Sequence, residues 1–435
     1  MLASTYICSS SGKATLTEKV FNQLTSLRAA KTYQIQDYFQ TLYHHSQTLS
    51  EDLTVVGAMQ EFKTAYRQLE QSTIPADFDA KIDTYYRTEF LTKLTRTNEG
   101  SPVLASYRPK TAAARYLQYH YIAANPNPAG KKLLLDNPGD ASAYSRAHAR
   151  YHPIFRNIVE KYGYYDMFLI DPEKTVVYRV FKEADFTTNF TNGPYNESNL
   201  ASAIAAARQA KETGYVKIVD FKPYTPSYGA PAAFIAGPIF NGSQFFGILA
   251  FQLPVDKINN VMTGNKNWKQ NGLGDSGETY LVGSDYLVRS GSRFQIEDPE
   301  GHAKTLRSIG TDEKTVKKIK EFNTTILLQE VQTKAVKEAL FGKQGTQAID
   351  DYRNIPVLSS YTPVEIDGLR WVILAEIDVS EAYASIHSFE KKVVIGATII
   401  IALITLVAIW LTSIFVKPLN TLIKSARKVG AGWGI

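Results

Sequence analysis

Three stretches of this sequence carry residue types that could do chemistry. The first, NGLGDSGETYLV, spells GxGxxG with Gly272, Gly274 and Gly277. A dinucleotide fingerprint needs a strand before it and a helix after it, so that phosphate meets a helix N-terminus. The segment that follows here, ETYLVGS, has the composition of a strand, and the glycines read as a linker between modules. The second stretch, HARYH, sets His148 and His152 one helical turn apart, a spacing that two metal ligands can share. No HExxH, cysteine cluster or nearby acidic pair completes a site, Pro153 follows at once, and the histidines read as a packed or hydrogen-bonded pair. No nucleophile elbow or Ser-Lys motif is present either. The sequence offers recognition rather than catalysis, with no metal and no cofactor.

The third stretch places polar groups inside apolar runs: Asp166 in YYDMFLID, Arg179 after Tyr178, and Asp220 between Val219 and Phe221. Burying such groups costs several kcal/mol unless they are paired, so each is either tied to a structural partner or held ready for a ligand. Beside them lies DFKPYTPSYGAP, a Pro- and Gly-punctuated loop with Tyr224, Ser227 and Tyr228, and Phe234 follows on the next strand. Aromatic rings beside carboxylates suit an amine or amino acid, through cation–π contacts and charged hydrogen bonds. The expected ligand contacts are therefore Asp166, Tyr178, Arg179, Asp220, Tyr224, Tyr228 and Phe234.

The elements that must position these residues follow from periodicity. Leu24, Leu27, Ile35, Tyr38, Leu42, Leu49, Leu53, Val56 and Met59 recur mostly at spacings of three, four or seven, which predicts one long helix over 15–66, broken near Ser50. Residues 67–160 form a second helical stretch interrupted at ANPNPAG and DNPGD. From there the pattern is strand, strand, the Ala-rich helix NLASAIAAARQA, then three strands in an antiparallel meander, the last two joined across Asn241-Gly242. This layout occurs twice. Pro238 answers Pro363, Asn241-Gly242 answers Asp367-Gly368, ILA at 248–250 answers ILA at 373–375, and DMFLIDPEKTVVYRV is matched by ETYLVGSDYLVRS. A repeat this long fits two tandem domains of one fold rather than a solenoid. The second copy has fewer apolar-flanked charges and is expected to relay rather than bind.

Val393–Val416 contains 24 residues without a charge, 15 of them Val, Ile, Leu or Phe. At about 1.5 Å per residue they reach about 36 Å, enough to span a hydrocarbon core of about 30 Å. Lys417, Lys424, Arg427 and Lys428 follow with no acidic residue, which puts the C-terminus in the cytoplasm. MLASTYICSSSGK lacks the basic and apolar regions of a signal peptide, so a first spanning helix is expected upstream, with YIC at its outer edge. Composition is that of a folded exterior, 44% hydrophobic and 21% charged. A net charge of +6 without a long basic stripe argues against nucleic acid as a partner, and KTVKKIK at 314–320 reads as a solvated helix face. Cys8 is the sole cysteine, which suits a bacterial periplasmic module.

With the long first helix, two PAS-like modules, the span and VKPLNTLIKSARKVGAG, the whole chain resembles a bacterial double-Cache receptor followed by the first helix of a HAMP domain. FNQLTSLRAAKTYQIQDYF, YHPIFRNIVEKYGYYDMFLID, YTPSYGAPAAFIAGPIF and GDSGETYLVGSDYLVRS resemble the wording of such receptors. The resemblance implies an α+β fold: a membrane remnant or tail over 1–14, the long helix over 15–66, a helical region over 67–160, a membrane-distal Cache module over 161–262, a membrane-proximal one over 263–390, the transmembrane helix over 393–416 and a truncated HAMP helix over 417–435. Pro418 fits a first helical turn, and Leu422, Ala426 and Val429 recur as a bundle seam does. It also implies a non-enzymatic sensing region in the bacterial inner membrane that binds a small molecule outside, acts as a homodimer, and signals to an output domain beyond GWGI. Such exteriors precede chemotaxis signalling domains, histidine kinases and class III nucleotide cyclases, so the alternative is the regulatory half of a membrane cyclase or kinase.

Overall fold

The computed structural model describes residues 2–97 and 102–430, and of residues 2–11, 429 and 430 the backbone alone. Met1, residues 98–101 and the closing 431–435, GWGI included, lie outside the described residues, as does the side chain of the expected seam residue Val429. The chain falls into two compact units, 21–378 and a second made of 1–20 with 379–435.

Helix α1 spans Leu2–Glu51 and α2 spans Leu53–Leu69. The break near Ser50 falls at Asp52, whose extended backbone stops α1 and whose carboxylate accepts from the N–H groups of Thr54 and Val55, capping α2. Within 21–51 the buried face reads Leu24, Arg28, Lys31, Ile35, Phe39, Leu42, Ser46 and Ser50, every third or fourth residue. The expected stripe was in phase at Leu24, Ile35 and Leu42, while Tyr38 and Leu49 sit at the edge of the core. Leu53 is 85% exposed, because it is the first residue after the cap and the buried face of α2 restarts at Val55, Ala58, Met59 and Phe62.

Among the described residues up to 162 the regular elements are helices, and two of them change to a π-helical turn, at Tyr86–Leu91 and Tyr119–Ala123. The helix Ala143–Tyr162 is capped by Ser142, carries Pro153 in its interior, and ends at Gly163, whose φ of +74° is left-handed. Its buried Tyr144, Ala147, His148, Tyr151 and Phe155 lie on one side.

Two antiparallel sheets follow. The first contains β1 (Asp166–Ile170), β2 (Val176–Arg179), β3 (Lys217–Tyr224), β4 (Ala230–Asn241) and β5 (Gln244–Gln252) in the order β2-β1-β5-β4-β3. The second contains β6 (Glu278–Gly283), β7 (Gly345–Asp350), β8 (Pro356–Ile366) and β9 (Leu369–Asp378) in the order β6-β9-β8-β7. In each, the first strand pairs with the last strand of a meander: Asp166 opposes Gln252, and Glu278 opposes Glu376. Both meanders turn tightly, with Gly242 and Gly368 in the left-handed region at φ +59° and +78°. The matched prolines differ in register by one place. Pro238 opposes Ile248 whereas Pro363 opposes Val372, because an irregularity between Ile239 and Phe240 interrupts the first hairpin.

One apolar core runs from α1 and α2 through the first sheet and takes in Leu281, Val364, Trp371 and Ile373 of the second. Trp371 stands edge-on to Phe39 at 5.4 Å and stacks on Phe221 at 6.1 Å. In the other unit, Ala384–Lys428 is helical and long and apolar enough to cross a membrane, with its apolar side chains exposed. There the Thr17 and Tyr383 hydroxyls share a 2.6 Å hydrogen bond, and the Lys13 ammonium lies 4.8 Å from the Tyr383 ring centre.

The core leaves no room at Gly247. A Cβ there would lie 2.6 Å from the Ile170 carbonyl oxygen and 2.5 Å from the Met59 methyl. Gly247→Ala should destabilise the chain by about 1–3 kcal/mol, read as a lowered urea midpoint with unchanged slope; an unchanged midpoint would show that β1 and β5 can separate freely.

Candidate functional site

The site is built by the segment that leaves β2. After Arg179 the chain turns through left-handed backbone at Lys182 (φ +58°) and Thr187 (φ +69°), which folds Lys182, Glu183 and Asp185 back against β1. Asp166 is fully buried at the start of β1. One carboxylate oxygen accepts from the N–H groups of Met167 (2.7 Å), Val180 (3.0 Å) and Phe181 (3.1 Å), and the other accepts from Arg179 Nε at 2.8 Å. Arg179, equally buried, also donates to Glu183 at 2.9 Å, meets Asp185, and stands over the Phe168 ring at 4.6 Å. Burial opposes the guanidinium charge, yet Asp166 and Glu183 outweigh it and hold the group above its ordinary pKa.

Three carboxylates share the Arg179 guanidinium, and Lys182, whose ammonium donates to the Arg179 carbonyl, is the other cation beside them, which leaves a formal excess of one negative charge. The Tyr224 hydroxyl donates to Asp185 at 2.5 Å. Glu183 is reached from the other side, by the hydroxyls of Tyr165 at 2.8 Å and Ser227 at 3.1 Å. Burial pushes its carboxyl up and Arg179 draws it down, with a net rise. The Tyr195 hydroxyl is buried with no hydrogen-bond partner among the described residues.

Tyr165 and Ser227 belong to the wall of a cavity of about 820 Å³. Tyr228 joins them in left-handed backbone at φ +58°, its phenol pushed up to about 12 by burial. Gln252 also lines the cavity; it is only 3% exposed, and its Oε1 has no partner among the described residues. Lys93 and Arg96 also line the cavity, and Lys93 Nζ lies 5.3 Å from the Tyr228 ring centre. Asp256, Asn259 and Asn323 add to its polar lining, with Glu321. The cavity can hold a donor-rich solute against an amide oxygen and aromatic faces, with Glu183 behind.

The sequence-predicted residues separate into three places. Asp166, Arg179, Tyr224 and Phe234 gather in the buried cluster, where Phe234 meets Tyr224 edge-on at 4.9 Å. Of the seven, Tyr228 lines the cavity. Tyr178 faces elsewhere: its hydroxyl meets His152 Nδ1 at 2.6 Å, its ring stacks on Phe62 at 4.6 Å, and Lys182 Nζ lies 4.6 Å from its centre. Asp220 is already engaged, by Arg289 through two 3.0 Å bonds and by Trp371 Nε1 at 3.0 Å. It sits on edge strand β3 where pairing with β4 is interrupted between Val219 and Lys222, and there its side chain meets β9 rather than the cavity.

Glu183, Tyr165 and Gln252 were not predicted. The signal available was KEAD at 182–185, three ionisable residues held between Val180-Phe181 and Phe186. His148 and His152 are a packed pair, ring centres 4.2 Å apart and both buried. Burial, aided by Lys182, drives both well below the ordinary imidazole range. Among the described residues no group of three His, Cys, Asp or Glu could hold a metal ion. The GxGxxG loop leads into strand β6, and Arg293 donates to the carbonyls of Gly277 (2.6 Å) and Gly274 (3.1 Å). That loop presents acceptors to a cation, the opposite polarity to a phosphate cradle.

No family model matches the chain. No curated protein matches it either. Solved structures similar to it are chemoreceptor sensing domains. The sensory domain of the Campylobacter jejuni chemoreceptor Tlp3 is 8% identical, covering 85% of this chain and 98% of that one, with a TM-score of 0.39. Two from Pseudomonas aeruginosa are the PctC ligand-binding domain with GABA (13% identical, 57% and 86% covered, TM-score 0.32) and that of PctB with L-Arg (16%, 51% and 74%, 0.30).

Asp220→Asn leaves the buried Arg289 with Asp285 as its remaining carboxylate partner. It should lower stability by about 2 kcal/mol in the absence of any ligand, seen as a lower melting temperature; an unchanged value would release Asp220 from this structural role.

Proposed function

We infer that this chain is the small-ligand sensing region of a bacterial transmembrane receptor, lying outside the inner membrane and signalling through Ala384–Leu411 and the HAMP-like helix Lys417–Gly430 to a cytoplasmic output domain. The observation that carries this reading is the wall of the 820 Å³ cavity, where Tyr165 and Ser227 bind a carboxylate from a cluster with excess negative charge and Gln252 offers an unpaired oxygen. Such a wall favours a ligand that brings positive charge and N–H donors. An amino acid or related amine fits: its ammonium lies against Gln252, Tyr228 and the field of Glu183, and the carboxylate of an amino acid turns toward Lys93 and Arg96. The volume is within the range of small-molecule sites and leaves room for a side chain.

The span and its cationic end support the membrane orientation, with Lys417, Lys424, Arg427 and Lys428 on the cytoplasmic side. Leu419 and Leu422 are exposed on the last helix, at 61% and 67%, a face that supports pairing with a second copy.

The test is a melting-temperature screen of the whole chain in detergent against amino acids, amines and organic acids. A ligand at one hundred times its Kd stabilises by about 2.7 kcal/mol. Cationic or zwitterionic compounds should raise the melting temperature, and Glu183→Gln should weaken the best of them by about tenfold to a hundredfold, with Tyr228→Ala acting in the same direction. Binding only of anions, or a verified ligand indifferent to both substitutions, would move the site elsewhere.

A further inference from the structure

The second sheet holds two buried carboxylates that belong to neither the ligand cavity nor an ion pair. Glu278 on β6 and Glu376 on β9 are direct register partners, and Ser359 on β8 opposes Glu376 from the other side. Opposed residues leave the same face of a sheet about 5 Å apart. That face is covered by the helix Lys334–Leu340, whose Ala335, Val336 and Ala339 pack with Tyr280, Val282 and Leu374. The glutamates are 3% and 2% exposed.

The contacts of the pair are hydroxyls and one backbone N–H. Glu278 accepts from the hydroxyls of Tyr352 (2.5 Å) and Ser292 (3.3 Å) and from the N–H of Arg293 (3.1 Å). Glu376 accepts from Ser359 (2.7 Å) and Tyr280 (2.8 Å). The charged groups that face them are Asp351 and Arg353 from the segment after β7, with Asp378 at the end of β9. Arg353 bonds Asp351 at 2.6 Å and Asp378 at 2.5 Å, and the Arg293 guanidinium is held by Glu297 at 3.0 Å and by loop carbonyls. Acid outnumbers base here, and two opposed buried carboxylates cannot both ionise without a large cost.

We propose that Glu278 and Glu376 form a proton-binding site, so that the second sheet responds to the pH of its surroundings as a stimulus separate from the small ligand. A proton held on one of the two carboxyls spares β6 and β9 a pair of facing like charges. When a carboxyl O–H bond breaks, the electron pair stays on oxygen, the proton leaves to a buffer base, and two like charges face each other across the strands. Two residues beyond Glu376 the strand ends at Asp378, and the chain continues into the helix Val379–Ala382 and the long apolar helix. Burial is the main reason both carboxyls are held up, Glu376 to about 8, with Ser359 and Tyr280 pulling it down and Asp351 and Glu278 pushing it further up.

The folded chain thus holds this proton more tightly than the unfolded chain does. The stability it contributes is complete below the ordinary glutamate range and is lost as pH rises through about 8. The whole chain in detergent, melted at pH 6 to 9, should lose roughly 3 °C between pH 7 and 9, and Glu376→Gln should flatten that fall. Ser359→Ala, which removes a donor to the ionised form, should move the midpoint to higher pH. A wild-type melting temperature that does not fall over this range, or an identical fall in Glu376→Gln, overturns the proposal. Should Glu376→Gln fail to fold, infrared spectroscopy of wild type and Ser359→Ala decides: a protonated-carboxyl band that fades near pH 8, and later in Ser359→Ala, supports the site, and no such band overturns it.

Discussion

A guanidinium buried among more carboxylates than it can neutralise is the constraint around which the first sheet is arranged. Arg179 is fixed by Asp166 and Asp185, and Asp166 is in turn fixed by three backbone N–H groups, two of them from the turn after β2. That turn is held by these bonds together with backbone bonds from Val180 to Met167 at 3.1 Å and from Phe186 to Glu183 at 3.0 Å. Removing Arg179 would leave its buried carboxylates uncompensated, which is far more costly than forgoing the cluster altogether. The charge excess reaches solvent through Glu183, and that is how a buried structural knot becomes the rear wall of an open cavity.

A second polar knot joins the two sheets. Asp220 on β3 holds Arg289, which follows β6, and Trp371 on β9, while the indole ring closes on Phe39 and Phe221. This carboxylate and indole fasten the second sheet to the first alongside the apolar core that Leu281, Val364 and Ile373 share with it. The cavity wall runs from Gln252 on β5 to Glu321–Thr324 beyond β6, so its lining also draws on both parts of the unit.

The α+β architecture was legible because its signals are local. The break expected near Ser50, found capped at Asp52, and the glycine turns of two hairpins are each written within a few residues, whereas the second copy of β2, expected at DYLVRS, forms only isolated bridges and leaves the second sheet with four strands. Buried charge at Asp166 and Arg179 was legible for the same reason, since both are flanked by apolar strand residues. Direction was not. Asp220 has the same kind of flanks, but it lies on an edge strand at an interrupted register, and sequence does not say which neighbour an edge residue meets. Glu183 escaped notice because it lies in irregular chain, where neither the two-residue nor the 3.6-residue period applies. The phase of the helical stripe was lost at Leu53 because a cap resets the rotation of everything after it.

The reach of Trp371 has a consequence for how the sheet unit assembles. Its partners Phe39, Asp220 and Phe221 come from far upstream, Asp220 being 151 residues away along the chain. Bringing such segments together closes long loops before their contacts can stabilise them, whereas Asp166 and Arg179 are only 13 residues apart. On loop-closure cost alone, the charged cluster beside the first sheet is the less costly of the two to assemble and the seating of the indole the more costly. Until the indole is seated, the chain would expose the unpaired edge of β3 and an apolar patch around Phe39, the surface most in need of protection from aggregation.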